Sequence, residues 1–338
     1  MKIYLNAICT LCLVLISLTI KAQDAVSVAD LIKQGQELNQ QKNYAGAIEK
    51  YKSALKSEPE NARANYEMAF ALYSGGKGTE GVPYLEKAIK ANPGTQLSAG
   101  AYSLLGSIYG GANQFQKSIA AYTNGIKADS TNQRLYYNLG IAQYRAKQYS
   151  NAEQSFISAL KLDSGYAASQ RMYALVTFHQ NKRAEALLGF CRFLMLEPGT
   201  AQSAEAFGNL QNILNGGSLK PEPGYRPSEA DQGYADAENA DLRKALNGFA
   251  TRRYAAKTDL LTAQLKAVFT AFGKGGDPKY YWRSLAKYFY KLAQTEHLPT
   301  FARLISQKAY PENAKWIKDN ADKVTALENW IMENKATF

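Results

Sequence analysis

The chain has 338 residues, 46% hydrophobic and 20% charged, with a formal charge of +11. This length suits two domains, while two histidines and three cysteines exclude a histidine-rich metal site and a disulfide framework. The excess charge is spread evenly, about +5 over residues 23–220 and about +4 over 221–338, which argues against a polyanion groove and a nucleic-acid partner.

The first predicted element is an export signal over residues 1–22. Lys2 precedes an apolar stretch from Ala7 to Ile20, too short to favour a membrane-spanning helix, and cleavage is expected after Ala22. Cys9 and Cys12 fall inside that stretch, so a mature chain keeps Cys191 alone, between Phe190 and Phe193 on an apolar segment. Such a cysteine reads as a small buried hydrophobe. The exported chain is expected in the periplasm or at the outer envelope.

From Val28 to Thr200 a degenerate unit of 34 residues recurs five times. Small residues mark the middle of each first helix (Gly35, Ala69, Gly106, Gly140, Ala174) and recur twelve residues on (Ala47, Gly81, Ser118, Ala152, Ala186). A large residue follows after four more: Tyr51, Leu85, Tyr122, Phe156, Phe190. Small residues let two helix backbones approach, and the large ones fill the groove beside them. Each unit closes on turn chemistry, as at Glu58-Pro59-Glu60-Asn61, Asn92-Pro93-Gly94-Thr95 and Glu197-Pro198-Gly199-Thr200, where Asn, Ser or Thr can cap the next helix. Gly75-Gly76, Asn113 and Asn181 are placed for a left-handed turn inside the hairpins.

These landmarks resemble the tetratricopeptide repeat family over about half the chain. The resemblance implies an all-α fold: a right-handed superhelical stack of about five helical hairpins plus a cap helix near Ala201–Asn215. It also implies that first helices line a concave face. On that register the groove residues are Arg63, Tyr66, Phe70 and Tyr73 in the second unit; Arg134, Tyr137, Tyr144 and Arg145 in the fourth; and Arg171 and Phe178 in the fifth. Tyr, Phe and Arg carry binding energy at interfaces, so an extended peptide or inserted helix of a protein partner is the expected occupant. Replacing Tyr137 or Arg134 is expected to weaken binding without lowering stability. The Asn and Lys set with which some family members clamp a C-terminal carboxylate is not evident.

After the solenoid (residues 23–217) the run Lys220-Pro221-Glu222-Pro223-Gly224-Tyr225-Arg226-Pro227 and the polar text behind it predict a linker over 218–237. Residues 238–338 then read as a small helical domain of four or five helices. Its most aromatic helix carries Tyr280, Tyr281, Trp282, Tyr288 and Phe289, and serves either as a central core element or as a second docking surface. Gly273-Lys274-Gly275-Gly276 lacks the spacing of a phosphate loop and reads as a turn, and Glu238 with Asp241 reads as helix-surface charge.

The leading reading is a non-enzymatic envelope scaffold that needs no cofactor. An envelope enzyme acting through the C-terminal helices is the alternative. Weak attraction to anionic envelope polymers and head-to-tail self-association are both compatible with such a stack.

Overall fold

A computed structural model of the chain describes residues 26–91, 94–219, 225, 227–274 and 281–334. The expected export signal lies outside these residues, as do Asn92-Pro93, Pro221, Pro223, Gly275-Gly276 and Tyr280. The described residues form 17 α-helices and two short 3-10 turns, with no strand among them. The protein is all-α, built from antiparallel helix pairs.

The chain divides into two compact units, Met1–Gln114 with Lys127–Asp129, and Phe115–Ile126 with Ser130–Phe338. The first unit contains α1 (Val28–Gln40), α2 (Tyr44–Ser57), α3 (Ala62–Ser74), α4 (Val82–Lys90) and α5 (Thr95–Gly111). α1 pairs with α2 and α3 with α4, as the repeat register requires. At the centre of the first pair Tyr51 is fully buried against Gly35; a methyl group on Gly35 would come within 2.3 Å of the ring. Only a glycine leaves room for that tyrosine. Asn61 caps α3, its Oδ1 accepting from the Ala64 N–H at 2.9 Å.

The second unit begins with α6 (Phe115–Ala128) and continues with two more hairpins, α7 (Gln133–Arg145) with α8 (Tyr149–Leu162) and α9 (Ala167–His179) with α10 (Arg183–Leu196). Gly140 repeats the role of Gly35: a Cβ there would lie 2.7 Å from the Phe156 ring. The predicted left-handed residues appear at Gly76, Asn113 and Asn181, and the same conformation is held by Lys42 and Lys147, where no glycine or asparagine announces it.

α11 (Ala201–Leu214) opens on a reciprocal capping box between Thr200 and Ser203. Its polar face is exposed, as a cap helix requires, but its apolar face meets a further helix as well as α10. The chain goes on through α12 (Glu229–Ala245), α13 (Lys257–Gly273), α14 (Tyr281–Ala293), α15 (Leu298–Ser306), α16 (Pro311–Asp319) and α17 (Ala321–Glu333). It is α15 that packs on α11, and Tyr310, at the start of α16, meets Phe207 edge-on at 5.5 Å.

Two expectations about this region are corrected. The linker does not run to residue 237, because α12 starts at Glu229. The Ser228 hydroxyl accepts from the Asp231 N–H at 3.1 Å, so the polar stretch carries a helix start. Nor do residues 238–338 form a core apart from the repeats. A single hydrophobic cluster runs from Tyr149 through Leu327. The reason lies in α10, where every residue from Arg183 to Met195 is buried. A helix apolar on all faces has to be covered on all faces, and α12, α14 and α15 extend that cover. The aromatic helix α14 is thus a core element, with Trp282, Leu285 and Phe289 at most 2% exposed.

Candidate functional site

In the first unit, α1 and α3 lie side by side and frame a depression of about 600 Å³. Its centre is Glu67, a buried carboxylate that accepts from Gln36 Nε2 at 2.7 Å and pairs with Arg63 Nε at 3.0 Å. Asn39 donates from Nδ2 to the Tyr51 hydroxyl at 3.0 Å, and its Oδ1 is buried with no hydrogen-bond partner among the described residues. That pairing holds the Tyr51 hydroxyl in place, and burial pushes its ionisation far above the ordinary range. Phe70 borders the depression and is 40% exposed; Tyr73, three residues on, is 43% exposed. Tyr66 is half-buried beside Gly100 of α5. Thus Arg63 and Phe70 of the sequence-named residues line one depression, with Tyr73 on the same helix.

The named residues of the second unit behave differently. Phe178 is 1% exposed and meets Phe190 edge-on at 6.1 Å, so it faces the core and is withdrawn from the groove. The register that places it on the inner face fails because α9 is also buried nearly all round. Tyr137 is half-buried between Phe156, at 6.0 Å, and Tyr166, at 5.4 Å. Tyr144 bonds His179 Nε2 at 2.9 Å, and His179 in turn stacks on Tyr149 at 5.3 Å. These rings are committed to packing between hairpins. Arg134 and Arg145 remain exposed, although Arg145 lies over the Phe115 ring at 4.9 Å. Arg171 is half-buried, 3.9 Å from Glu205 of α11.

The second unit also holds a cavity of about 430 Å³ that the repeat register does not anticipate. Two buried carboxyls, Glu153 of α8 and Glu185 of α10, line it. Lys182 Nζ bonds Glu153 at 2.7 Å, and Gln180 Nε2 bonds the same oxygen at 2.8 Å. Glu185 has no such cation at bonding distance among the described residues. The Tyr173 hydroxyl reaches it at 3.5 Å and Tyr234 also bonds it. Burial and then the Glu153 charge push its carboxyl up to about 8. The rest of the lining is aromatic: Tyr173, Tyr234, Tyr281 and Trp282. Trp282 Nε1 donates to the Tyr234 hydroxyl at 2.8 Å, and Tyr173 and Tyr281 meet edge-on at 4.8 Å. Tyr281 in turn bonds Gln170. The sequence signal for this cavity was present as acidic residues within the repeat's second helices. Only the cover by α12 and α14 turns them from surface charge into buried groups.

Cys191 is fully buried, and desolvation raises its thiol far above the usual range, as a core cysteine requires. No described helix is long and apolar enough to cross a membrane.

Comparison with known proteins bears on the repeats. A family model for the TPR repeat matches residues 35–76, and one for the tetratricopeptide repeat matches residues 103–167. The chain is 23% identical over 201 residues to the Hsp70-Hsp90 organizing protein of Triticum aestivum, a match covering 56% of this chain and 32% of that protein. It therefore spans about a third of the length of that relative. Among solved structures, YrrB, a TPR protein with an unusual peptide-binding site, is similar at a TM-score of 0.48 and 16% identity, covering 57% of this chain and 97% of that one. PilF of Pseudomonas aeruginosa is similar at a TM-score of 0.48 and 15% identity, covering 65% and 92%.

Proposed function

We propose, for a chain that carries tetratricopeptide repeats, a non-enzymatic role as a scaffold that holds an extended segment of a protein partner across α1 and α3. The observation that carries this reading is the pairing of two exposed rings, Phe70 and Tyr73, with a depression lined by side-chain amides and Arg63. Residues three apart share a helix face, so both rings can lie along one bound segment. Exposed Arg63 supplies a donor at the edge of the depression for a carbonyl of the bound segment. Taken by itself, the second unit is proposed to offer Arg134, Arg145 and Arg171 as polar contacts for a partner. Export is part of the same proposal and rests on residues 1–22 alone.

Affinity capture from an extract of the source cell tests this, with the mature chain as bait and the double variant Phe70→Ala/Tyr73→Ala as comparison. A polypeptide recovered by the wild type and lost with the variant is expected. Equal recovery by both would remove this face from the binding site. Sequencing the mature N-terminus, expected at Gln23, tests export.

A further inference from the structure

The cavity between α8, α10, α12 and α14 is not used by the scaffold reading. One of its two buried carboxyls, Glu185, has no cation at bonding distance among the described residues. Two buried carboxyls, Glu153 and Glu185, are 6% and 2% exposed, and one buried ammonium, Lys182, serves Glu153. A carboxylate buried without a counter-charge is costly, and the cost falls when a cation arrives. Lys161 lies on the rim and is exposed, so water screens it from the floor. Arg283 is engaged elsewhere, paired with Glu238 at 3.0 Å and stacked over the Trp282 ring at 3.8 Å. Asp231 of α12 adds a third carboxylate on the wall, and Tyr234, 37% exposed, stands at the opening.

The aromatic lining fits the same ligand chemistry. Tyrosine and tryptophan rings attract cations through their quadrupoles and desolvate an aliphatic stem. A volume of about 430 Å³ gives room for such a stem beside the carboxyl. We infer that this cavity binds a primary ammonium group on an aliphatic chain, with Glu185 as its counter-ion and the Tyr173, Tyr234, Tyr281 and Trp282 rings around its stem. A free small amine and the lysine side chain of a polypeptide share this chemistry.

Binding requires the Glu185 carboxyl to ionise, so it releases a proton. Affinity therefore rises with pH, by up to about tenfold per pH unit, while Glu185 is still protonated in the free protein. The neighbouring Glu153, Asp231 and Glu238 carboxyls and the Lys182 and Arg283 cations bias this linkage but hold opposite charges near one another.

The test uses the whole mature chain and two probes, butylamine and N-acetyl-lysine methylamide, with butanol as the uncharged control. Tryptophan fluorescence, to which Trp282 contributes from the cavity wall, and titration calorimetry in two buffers of different ionisation enthalpy give affinity and protons released at pH 6, 7 and 8. Saturable binding of at least one amine is expected, tighter at pH 8 than at pH 6, with a proton released at pH 7. Binding by butylamine as well as the lysine derivative points to a free amine, and binding by the lysine derivative alone to a polypeptide. Glu185→Gln is expected to weaken amine binding at least tenfold and to abolish its pH dependence. Because the wild-type pH profile stands without any variant, a folding defect in Glu185→Gln does not block the test. Absence of saturable amine binding up to about 10 mM, equal binding of butanol, or binding without proton release would each overturn the inference.

Discussion

Replacing Glu185 by glutamine perturbs a single buried proton site and leaves the shape of α10 unchanged. In the folded chain burial raises the Glu185 carboxyl from 4.5 to about 8, so it stays protonated at neutral pH. The unfolded chain ionises near the ordinary value and thus binds fewer protons between these limits. Stability from this group is complete below pH 4.5 and drains away as pH rises toward 8. From those two values the loss between pH 4 and pH 7 is on the order of 3 kcal/mol, at 1.36 kcal/mol for each tenfold change in proton affinity. Glu238 is raised in the same way by burial and adds to the trend, while Lys182 opposes it at Glu185. Glutamine matches the protonated acid in shape and cannot ionise, so the variant should keep at pH 8 most of what it has at pH 5. All three tryptophans, Trp282, Trp316 and Trp330, belong to the second unit, so urea unfolding followed by tryptophan fluorescence reads that unit. Measured at pH 5, 6, 7 and 8, the variant should match the wild type within about 1 kcal/mol at pH 5 and exceed it by a few at pH 8. Parallel curves for the two proteins would refute the assignment of a protonated buried Glu185.

Other substitutions probe the packing. Gly140→Ala places a methyl group 2.7 Å from the Phe156 ring and should lower stability by about 1–3 kcal/mol despite the better helix propensity of alanine, read as a fall in Tm. Lys147→Gly should raise stability by about 1 kcal/mol in urea unfolding, because φ at Lys147 is 59° and glycine adopts that region without strain. Tyr137→Ala should lower Tm, since the ring packs on Phe156 and Tyr166; an unchanged Tm would return that residue to the groove surface. Phe70→Ala, by contrast, removes an exposed ring and should change stability by less than about 0.5 kcal/mol.

The repeat itself was legible because its physics is local. Glycine against tyrosine at a sixteen-residue spacing, asparagine at a helix start and glycine in a turn each act within one hairpin, so Gly35 with Tyr51, Asn61 and Gly76 can be read along the chain. Exposure along α3 followed from the same register, which is why Arg63, Phe70 and Tyr73 could be named. What failed were assignments that depend on how helix faces are covered, whether by the partner helix, as Phe190 covers Phe178, or by elements distant in sequence. Phe178 is buried and Tyr137 half-buried because the neighbouring helices take up those faces. The polar stretch from Ser228 looks like linker until Asn239 is seen bonding the Asn181 carbonyl at 2.7 Å, a contact across 58 residues. Repeat spacing therefore determined the all-α class and the hairpin pairing, because both follow from contacts within about 34 residues. Only the tertiary structure decided that α12 and α14 close over Glu153 and Glu185, because burial of a charge depends on what covers it, and the covering helices lie about 45 to 130 residues away.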